Sequence, residues 1–189
     1  MKTSRLEAFS DGVLAIIITI MVLELKAPED NTFTALLAKT PVFISYVFSF
    51  IYLGIYWNNH HHLFQITQKV NGKILWANLH LLFWLSLIPF TTAWIGDNFE
   101  VKLPIIAYGV VLLFCAIAYF ILQSAIIKSH DNEFPLRKVV GSDVKGKISI
   151  ACYILGIGTT FLNTWVAIGF YIIVAIIWLV PDKRIEQVL

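Results

Sequence analysis

Six long apolar runs, separated by short polar segments, dominate this chain of 189 residues. They cover residues 8–26, 42–66, 74–95, 103–127, 147–162 and 165–180. A bilayer core of about 30 Å requires roughly 20 mostly apolar residues per helix, so each run is a candidate membrane helix. Pro41 and Pro104 fall in first turns, where a missing N–H costs little, whereas Pro89 predicts a kink inside the third run. The sequence predicts an all-α integral membrane protein with six transmembrane helices in a single domain, residues 1–189.

The composition excludes an ordinary water-soluble domain. Hydrophobic residues make up 58% of the chain and charged residues 14%, whereas soluble domains have about 25% charged residues. The net charge of +2 is too small to indicate a nucleic-acid partner. Cys115 and Cys152 each lie inside an apolar run. They predict buried free thiols, with neither a disulfide framework nor a C-x-x-C metal pair.

The distribution of positive charge predicts the orientation. With the N-terminus inside, the cytoplasmic segments contain eleven basic residues and the outer segments contain three. The inner set is Lys2, Arg5, Lys69, Lys73, Lys128, Arg137, Lys138, Lys145, Lys147, Lys183 and Arg184, and the outer set is Lys26, Lys39 and Lys102. Cytoplasmic loops of membrane proteins carry the excess of Lys and Arg. Both termini are therefore predicted to be cytoplasmic.

The first run could be a membrane helix or a cleaved signal peptide. Lys2 and Arg5 precede its short apolar core, as they would in a signal peptide. Asp11 and Glu24, however, lie at the start of the core and near the expected cleavage point, where signal peptides avoid acidic residues. We therefore expect the run to stay as the first helix of the protein.

One stripe of the first helix combines small, apolar and polar residues. At 100° per residue, Arg5, Phe9, Gly12, Ile16, Ile20, Leu23 and Ala27 share a narrow face, with Thr19 on its flank. This spacing is typical of a packing seam between helices. The same stripe could instead line a pore, where rings of Ile and Leu form a hydrophobic constriction. Periodicity alone leaves both interpretations open.

Several motifs resemble a known channel family. The pattern Arg5-x-x-x-Phe9-Ser10-Asp11-Gly12-Val13-x-Ala15-Ile16-x-x-Thr19 is similar to the signature of the bacterial relatives of the lysosomal potassium channel, transmembrane protein 175. Trp57-x-x-His60-His61-x-Leu63-Phe64 resembles the end of the family's second helix, and Asn78 with Pro89-Phe90 resembles its third. The closing Pro181-Asp182-Lys183-Arg184 is similar to the family's tail. Length and helix count fit one six-helix unit of the family.

The resemblance implies a homotetramer in which four copies of the first helix surround a cation pathway. Ile16, Ile20 and Leu23 would form stacked hydrophobic constrictions, and Thr19 would form a polar ring that contributes to potassium preference. The chain contains no Thr-Val-Gly-Tyr-Gly filter loop, so selectivity by a cage of carbonyl groups is not expected. The expected function is a potassium-permeable cation channel of modest selectivity in the inner (plasma) membrane.

Several polar residues lie near the expected cytoplasmic end of the first three helices. We expect them to form a hydrogen-bond network that holds the first helix in place. Arg5 and Asp11 are rotated by about 120° from each other on a 100° helix, so each is expected to meet another helix. Trp57, His60 and His61 lie near the same end of the second helix. With Phe9, Ser10 and Asn78 they form the predicted structural set, which would satisfy buried polar atoms. A proton-sensing role for His60 or His61 is an alternative, since histidine titrates near neutrality.

No metal or organic cofactor is predicted. Consecutive histidines His60, His61 and His62 point about 100° apart and cannot bind one ion together, and zinc needs further ligands. Glu24, with Glu29 and Asp30, lies at the predicted outer mouth. A ring of carboxylates there would concentrate cations, although solvated loop charges are the simpler interpretation for Glu29 and Asp30.

Three other functional classes compete with a channel. A secondary transporter predicts a charged or broken-helix site at mid-depth, and no ionisable residue is expected there in helices 2, 4, 5 or 6. An enzyme would need a nucleophile–base pair or a metal constellation, and neither is visible. A non-conducting structural membrane subunit remains compatible with the composition.

Overall fold

A computed structural model describes residues 3–131, 134, 136 and 143–179. The eight helices described are α1 (Thr3–Leu23), α2 (Phe33–Ala38), α3 (Thr40–Gln65), α4 (Gly72–Leu85), α5 (Ile88–Asp97), α6 (Lys102–Lys128), α7 (Val144–Thr159) and α8 (Thr164–Leu179). No strand occurs among these residues. The all-α expectation is therefore confirmed for the described part of the chain, while the tail motif at 181–184 lies outside it.

In the described part of the chain, four segments are long and apolar enough to cross a membrane: α1, α3, α4 together with α5, and α6. The described residues of α7 and α8 number 16 each, a length of about 24 Å at 1.5 Å per residue. That length is shorter than a bilayer core of about 30 Å. A multi-pass membrane protein is therefore supported, and the count of six crossings stays a prediction.

Local sequence explains where several helices begin and break. Asn71 caps α4 by accepting a hydrogen bond from the Ile74 N–H (3.0 Å), which satisfies one of the free amides of the first turn. The third apolar run is divided at Ser86 and Leu87, and Pro89 lies in the first turn of α5. Proline lacks the N–H that a continuous helix would need at this point. The predicted kink is therefore present as an interruption of the helical hydrogen bonds at Ser86 and Leu87, whose backbones stay in the right-handed helical region.

The helices enclose two hydrophobic clusters. The larger contains α1 residues such as Leu14 together with Leu53, Leu81 and Leu122 from α3, α4 and α6. The smaller is built from aromatic side chains of α3, α6, α7 and α8: Tyr52, Tyr108, Tyr153 and Tyr171. The ring of Tyr171 fills the space that a Cβ would need at Gly109 and Gly156. In the smaller cluster, this tyrosine ring packs directly against the backbone at the two glycine positions. In the larger cluster, aliphatic side chains from different helices interlock.

Hydrogen bonds show which helix ends lie together. Thr3 at the start of α1 donates to the Thr67 carbonyl in the α3–α4 connection (3.1 Å). His130 after α6 accepts from the backbone N–H groups of Gln68 and Lys69 in the same connection. At the opposite end, Lys102 at the start of α6 donates to the Phe161 carbonyl beyond α7. The start of α1 therefore shares one end of the bundle with the α3–α4 connection and the end of α6.

Candidate functional site: the two faces of α1

One face of α1 is buried against the rest of the chain. Its side chains recur every three or four residues: Leu6, Ser10, Leu14, Ile17 and Met21. This is the spacing expected when one stripe of a helix faces a core. The apolar members belong to the larger cluster, with contributions from α3, α4, α5 and α6. α1 is therefore anchored along its full length by one face.

The opposite face of α1 is exposed in the chain. Ile16 is 61% exposed, Ile20 43% and Leu23 73%. Arg5, Gly12 and Thr19 are exposed on the same side. The stripe noted in the sequence is thus not used for packing within one chain.

Thr19 is the polar member of the exposed face that lies at the level of the Ile side chains. Its hydroxyl donates to the Ala15 carbonyl of the preceding turn (2.8 Å). Because the hydroxyl hydrogen is engaged within the helix, the oxygen lone pairs remain available outward. An outward oxygen of this kind can accept a hydrogen bond from water or contact a cation.

A buried chain of hydrogen bonds joins α1 to α3 and α4. The Asn78 amide donates to Ser10 Oγ (2.9 Å), and Ser10 donates to the Leu6 carbonyl (2.9 Å). His60 Nε2 lies 2.8 Å from Asn78 Oδ1. Since the amide oxygen can only accept, His60 Nε2 carries the hydrogen. The other ring nitrogen, Nδ1, is buried without a partner. This arrangement fits a neutral His60 with a structural role.

A second set of polar contacts involves Glu7 and Asp11 of α1. Trp57 Nε1 donates to Asp11 Oδ1 (3.0 Å). His61 Nδ1 lies 2.7 Å from Glu7 Oε1, and His61 Nε2 lies 2.8 Å from Gln65 Nε2. The carboxylate accepts from Nδ1 and the amide donates to Nε2, so both nitrogens of a neutral ring are satisfied. These contacts connect α1 to α3 at two successive turns.

The structure departs from the sequence expectation at both edges of this network. Arg5 and Phe9 lie on the exposed face, and the Arg5 side chain makes no hydrogen bond to another residue that the structure describes. Glu7 and Gln65 were not among the predicted residues, although both contact His61. The signal for Glu7 was present in the sequence, because an acid in a short membrane helix needs a partner.

Glu24 follows the last residue of α1 and is exposed. It borders a cavity of ≈ 400 Å³ between the α1–α2 connection, α2, the start of α3 and α5. The lining includes two lysines and one further carboxylate: Lys26, Lys39 and Asp97. The charges at this end are therefore mixed, which weakens the cation attraction that Glu24 would exert alone.

The histidine triplet does not converge on one point. His60 faces Asn78, and His61 faces Glu7. His62 Nδ1 is buried without a hydrogen-bond partner. Within residues 3–131, 134, 136 and 143–179, no group of three His, Cys, Asp or Glu side chains is arranged to hold a metal ion.

A chain of hydroxyl groups that was not predicted from the sequence joins α5, α3 and α6. Thr92 Oγ1 lies 2.7 Å from Ser49 Oγ, which lies 2.9 Å from the Tyr108 hydroxyl. All three side chains are buried. Scattered serine and threonine residues in apolar runs have no spacing that distinguishes such a chain from isolated hydroxyls bonded to their own helices.

Comparisons with known proteins agree on one family. Residues 5–89 match the family described as endosomal/lysosomal potassium channel TMEM175. A protein of a Chryseobacterium species (strain P1-3), named a potassium channel, is 58% identical over 99% of this chain and 97% of its own length. The mouse protein named endosomal/lysosomal proton channel TMEM175 is 30% identical over 67% of this chain and 26% of its own length.

A solved structure has the same fold. The crystal structure titled a lysosomal potassium-selective channel TMEM175 homologue from Chamaesiphon minutus superposes with a TM-score of 0.82. The match covers 93% of this chain and 95% of the other at 26% identity. This chain therefore belongs to the TMEM175 family, which is a family of ion channels and not of enzymes.

Proposed function

We propose that this protein is a potassium-permeable cation channel, a homotetramer in which four copies of α1 line a central pore. The observation that carries the proposal is the exposed stripe of α1, which stays free of intrachain packing while the other face is fully anchored. The family match includes this helix. A helix held on one side only is suited to line a pathway at a symmetry axis.

Ile16, Ile20 and Leu23 would form the constrictions. They lie on one side of α1 and project their apolar side chains away from the chain's core. Rings of such side chains narrow a pore and can gate it by dewetting. Thr19 lies between these levels and offers an outward oxygen, since its hydroxyl hydrogen is engaged with Ala15. One hydroxyl ring supports potassium preference of modest size.

The polar network would keep the pore helix in register. The contacts of Ser10 and Asp11 attach α1 to α3 and α4 on the face away from the proposed pore. Arg5 and Phe9, on the exposed face, would act at subunit contacts or at the inner mouth. Glu24 would attract cations at the outer mouth, moderated by the neighbouring Lys26 and Lys39.

The proposed topology has six membrane crossings in one domain, residues 1–189, with both termini cytoplasmic. Three observations support it: the excess of basic residues on one side, the shared location of Thr3 and the α3–α4 connection, and the hydrogen bond of Trp178 near the end of α8 to Ser149 in α7. The protein would reside in the inner (plasma) membrane. Its partners would be its own copies, monovalent cations and the bilayer.

The test is ion flux through purified protein in liposomes under a potassium gradient. Wild type should carry a potassium flux that follows the membrane voltage. Ile16→Asn should raise the flux by about tenfold or more, because a polar ring lowers the cost of wetting a hydrophobic constriction. Ile172→Asn is the matched control, since Ile172 is exposed on α8 and should leave the flux unchanged. A proton-sensitive dye in the same vesicles measures whether protons permeate as well.

The outcomes separate the alternatives. Potassium flux that requires a second ion gradient would indicate a secondary transporter. No flux in any variant, with the protein folded and inserted, would indicate a non-conducting structural subunit and overturn the channel proposal. Equal increases in potassium flux in Ile16→Asn and Ile172→Asn would show that α1 does not line the pore. The mass of the detergent-solubilised particle should equal four chains, and a monomer would contradict the central pore.

A further inference from the structure

An open groove lies between the start of α4 and the last turns of α6, with a volume of ≈ 1420 Å³. Its walls combine basic, hydroxyl, aromatic and aliphatic side chains. The lining is Asn71, Gly72, Lys73, Trp76, Ala77, His80, Phe120, Ile121, Ser124, Ala125, Lys128 and Ser129. The Asn71 amide donates to Ser129 Oγ (2.8 Å) and closes the groove at the end of the helix bundle.

The polar end of the groove is positively charged. Lys73 and Lys128 both line it, and none of the Asp or Glu residues in the described part of the chain does. Neither lysine forms an ion pair with another residue in the described part of the chain. Asn71 caps only the N–H of Ile74 in the first turn of α4. The first N–H groups of α4 therefore add their partial positive charge to that of the two lysines.

The other end of the groove is apolar and accessible. Trp76 is 75% exposed, Phe120 44% and Ile121 41%. These side chains continue from the basic end along α4 and α6 into the apolar part of both helices. Tryptophan next to lysine is typical of the zone where a membrane meets water. The groove therefore has the polarity gradient of an amphiphile lying along the helices.

His80 supplies one more donor within the groove. Its Nε2 accepts a hydrogen bond from Trp84 Nε1 (2.9 Å). In a neutral ring the hydrogen must then be on Nδ1. This hydrogen is available to an ester or glycerol oxygen that lies between the basic and the apolar ends.

We propose that this groove binds an anionic phospholipid of the cytoplasmic leaflet. The phosphate would lie between Lys73, Lys128 and the first turn of α4, and an acyl chain would lie along Trp76, Phe120 and Ile121. Basic pockets between membrane helices on the cytoplasmic side are suited to anionic headgroups. A free phosphate ion would use only the basic end, so the accessible apolar wall favours a lipid. The proposal depends on the orientation given above and not on ion conduction.

The experiment is native mass spectrometry of the full-length protein titrated with phosphatidylglycerol, phosphatidylcholine and inorganic phosphate. Wild type should retain phosphatidylglycerol. The double variant Lys73→Gln, Lys128→Gln should bind it about thirtyfold more weakly, from the usual contribution of lysines near an anionic membrane surface. Lys69→Gln, Lys147→Gln removes the same charge outside the groove and should bind it as wild type does. Trp76→Ala should weaken binding of the lipid without changing its headgroup preference.

Each other outcome contradicts the proposal. Equal losses in the two double variants would show general charge attraction without a site. Retention of phosphatidylcholine as strong as that of phosphatidylglycerol would show that the two lysines do not select the lipid headgroup. Displacement of the lipid by inorganic phosphate alone would show that the apolar wall does not contribute to binding. A cross-link from Trp76 substituted by a photoreactive residue to a neighbouring copy would show that a second chain, not a lipid, covers the groove.

Discussion

The two faces of α1 are built from similar aliphatic side chains, yet they have opposite surroundings. Leu14 is 2% exposed, while Ile16, two residues later, is 61% exposed. In lipid, an apolar side chain gains little from burial alone, and helices associate through packing and polar contacts. The buried face has both: interlocking side chains and the Ser10–Asn78 hydrogen bond. Polar contacts, more than hydrophobicity, therefore determine which face of α1 is buried against the rest of the chain.

The largest expected effect concerns packing on the buried face. Leu14→Ala should destabilise the folded chain by about 2–3 kcal/mol, which is near the low end for a buried leucine. The substitution leaves a cavity, as it would in a soluble protein. The free energy of moving the lost side chain out of the protein core is smaller when its surroundings are lipid instead of water. Ile16→Ala removes a similar side chain from the exposed face and should leave stability within about 0.5 kcal/mol. Thermal unfolding in detergent, followed by size-exclusion chromatography, measures both. Equal shifts in the unfolding temperature would mean that the two faces are equally packed.

Much of the fold follows from hydropathy. Runs of apolar residues with lengths close to a bilayer predict helices, and Pro89 predicts a disturbance in the third of them. The short helix α2 was not predicted, because its six residues carry too few turns for a periodic signal. The kink at Pro89 was predicted, and the helical hydrogen bonds are interrupted at Ser86 and Leu87. Proline indicates a lost hydrogen bond, but the size of the resulting bend depends on how the neighbouring helices pack.

The sequence predicted most of the residues of the candidate site, but not which of them form hydrogen bonds with each other. Ser10, His60 and Asn78 are polar residues in apolar runs near one helix end, so their mutual contact could be anticipated. Which of two adjacent histidines meets Asn78 depends on the rotation of α3, and the sequence does not define that rotation. Glu7 was missed because its partner, His61, is identified only by that rotation.

The next effect in size concerns the buried hydrogen bonds. Asn78→Leu should cost about 1–2 kcal/mol, because it removes the acceptor of His60 and the donor to Ser10 and leaves buried polar atoms without partners. Asn59→Leu is the matched control, since among the described residues the Asn59 side chain bonds only to the Ile55 carbonyl of its own helix and should cost less. The same unfolding assay applies. A control variant as unstable as Asn78→Leu would show that α1 is not held by this contact.

The smallest expected effect concerns Thr19 on the exposed face. Thr19→Val preserves shape and should leave stability unchanged, because the hydroxyl bonds only to its own helix. Potassium preference over sodium, measured as a reversal potential under bi-ionic conditions, should fall toward a ratio of about one, since a ring of outward oxygens is lost. Thr19→Ser keeps the oxygen and should retain the preference. If both variants keep the wild-type ratio, selectivity does not arise on this face; if Thr19→Val unfolds, the exposed face also has a structural role and the contrast with Leu14 disappears.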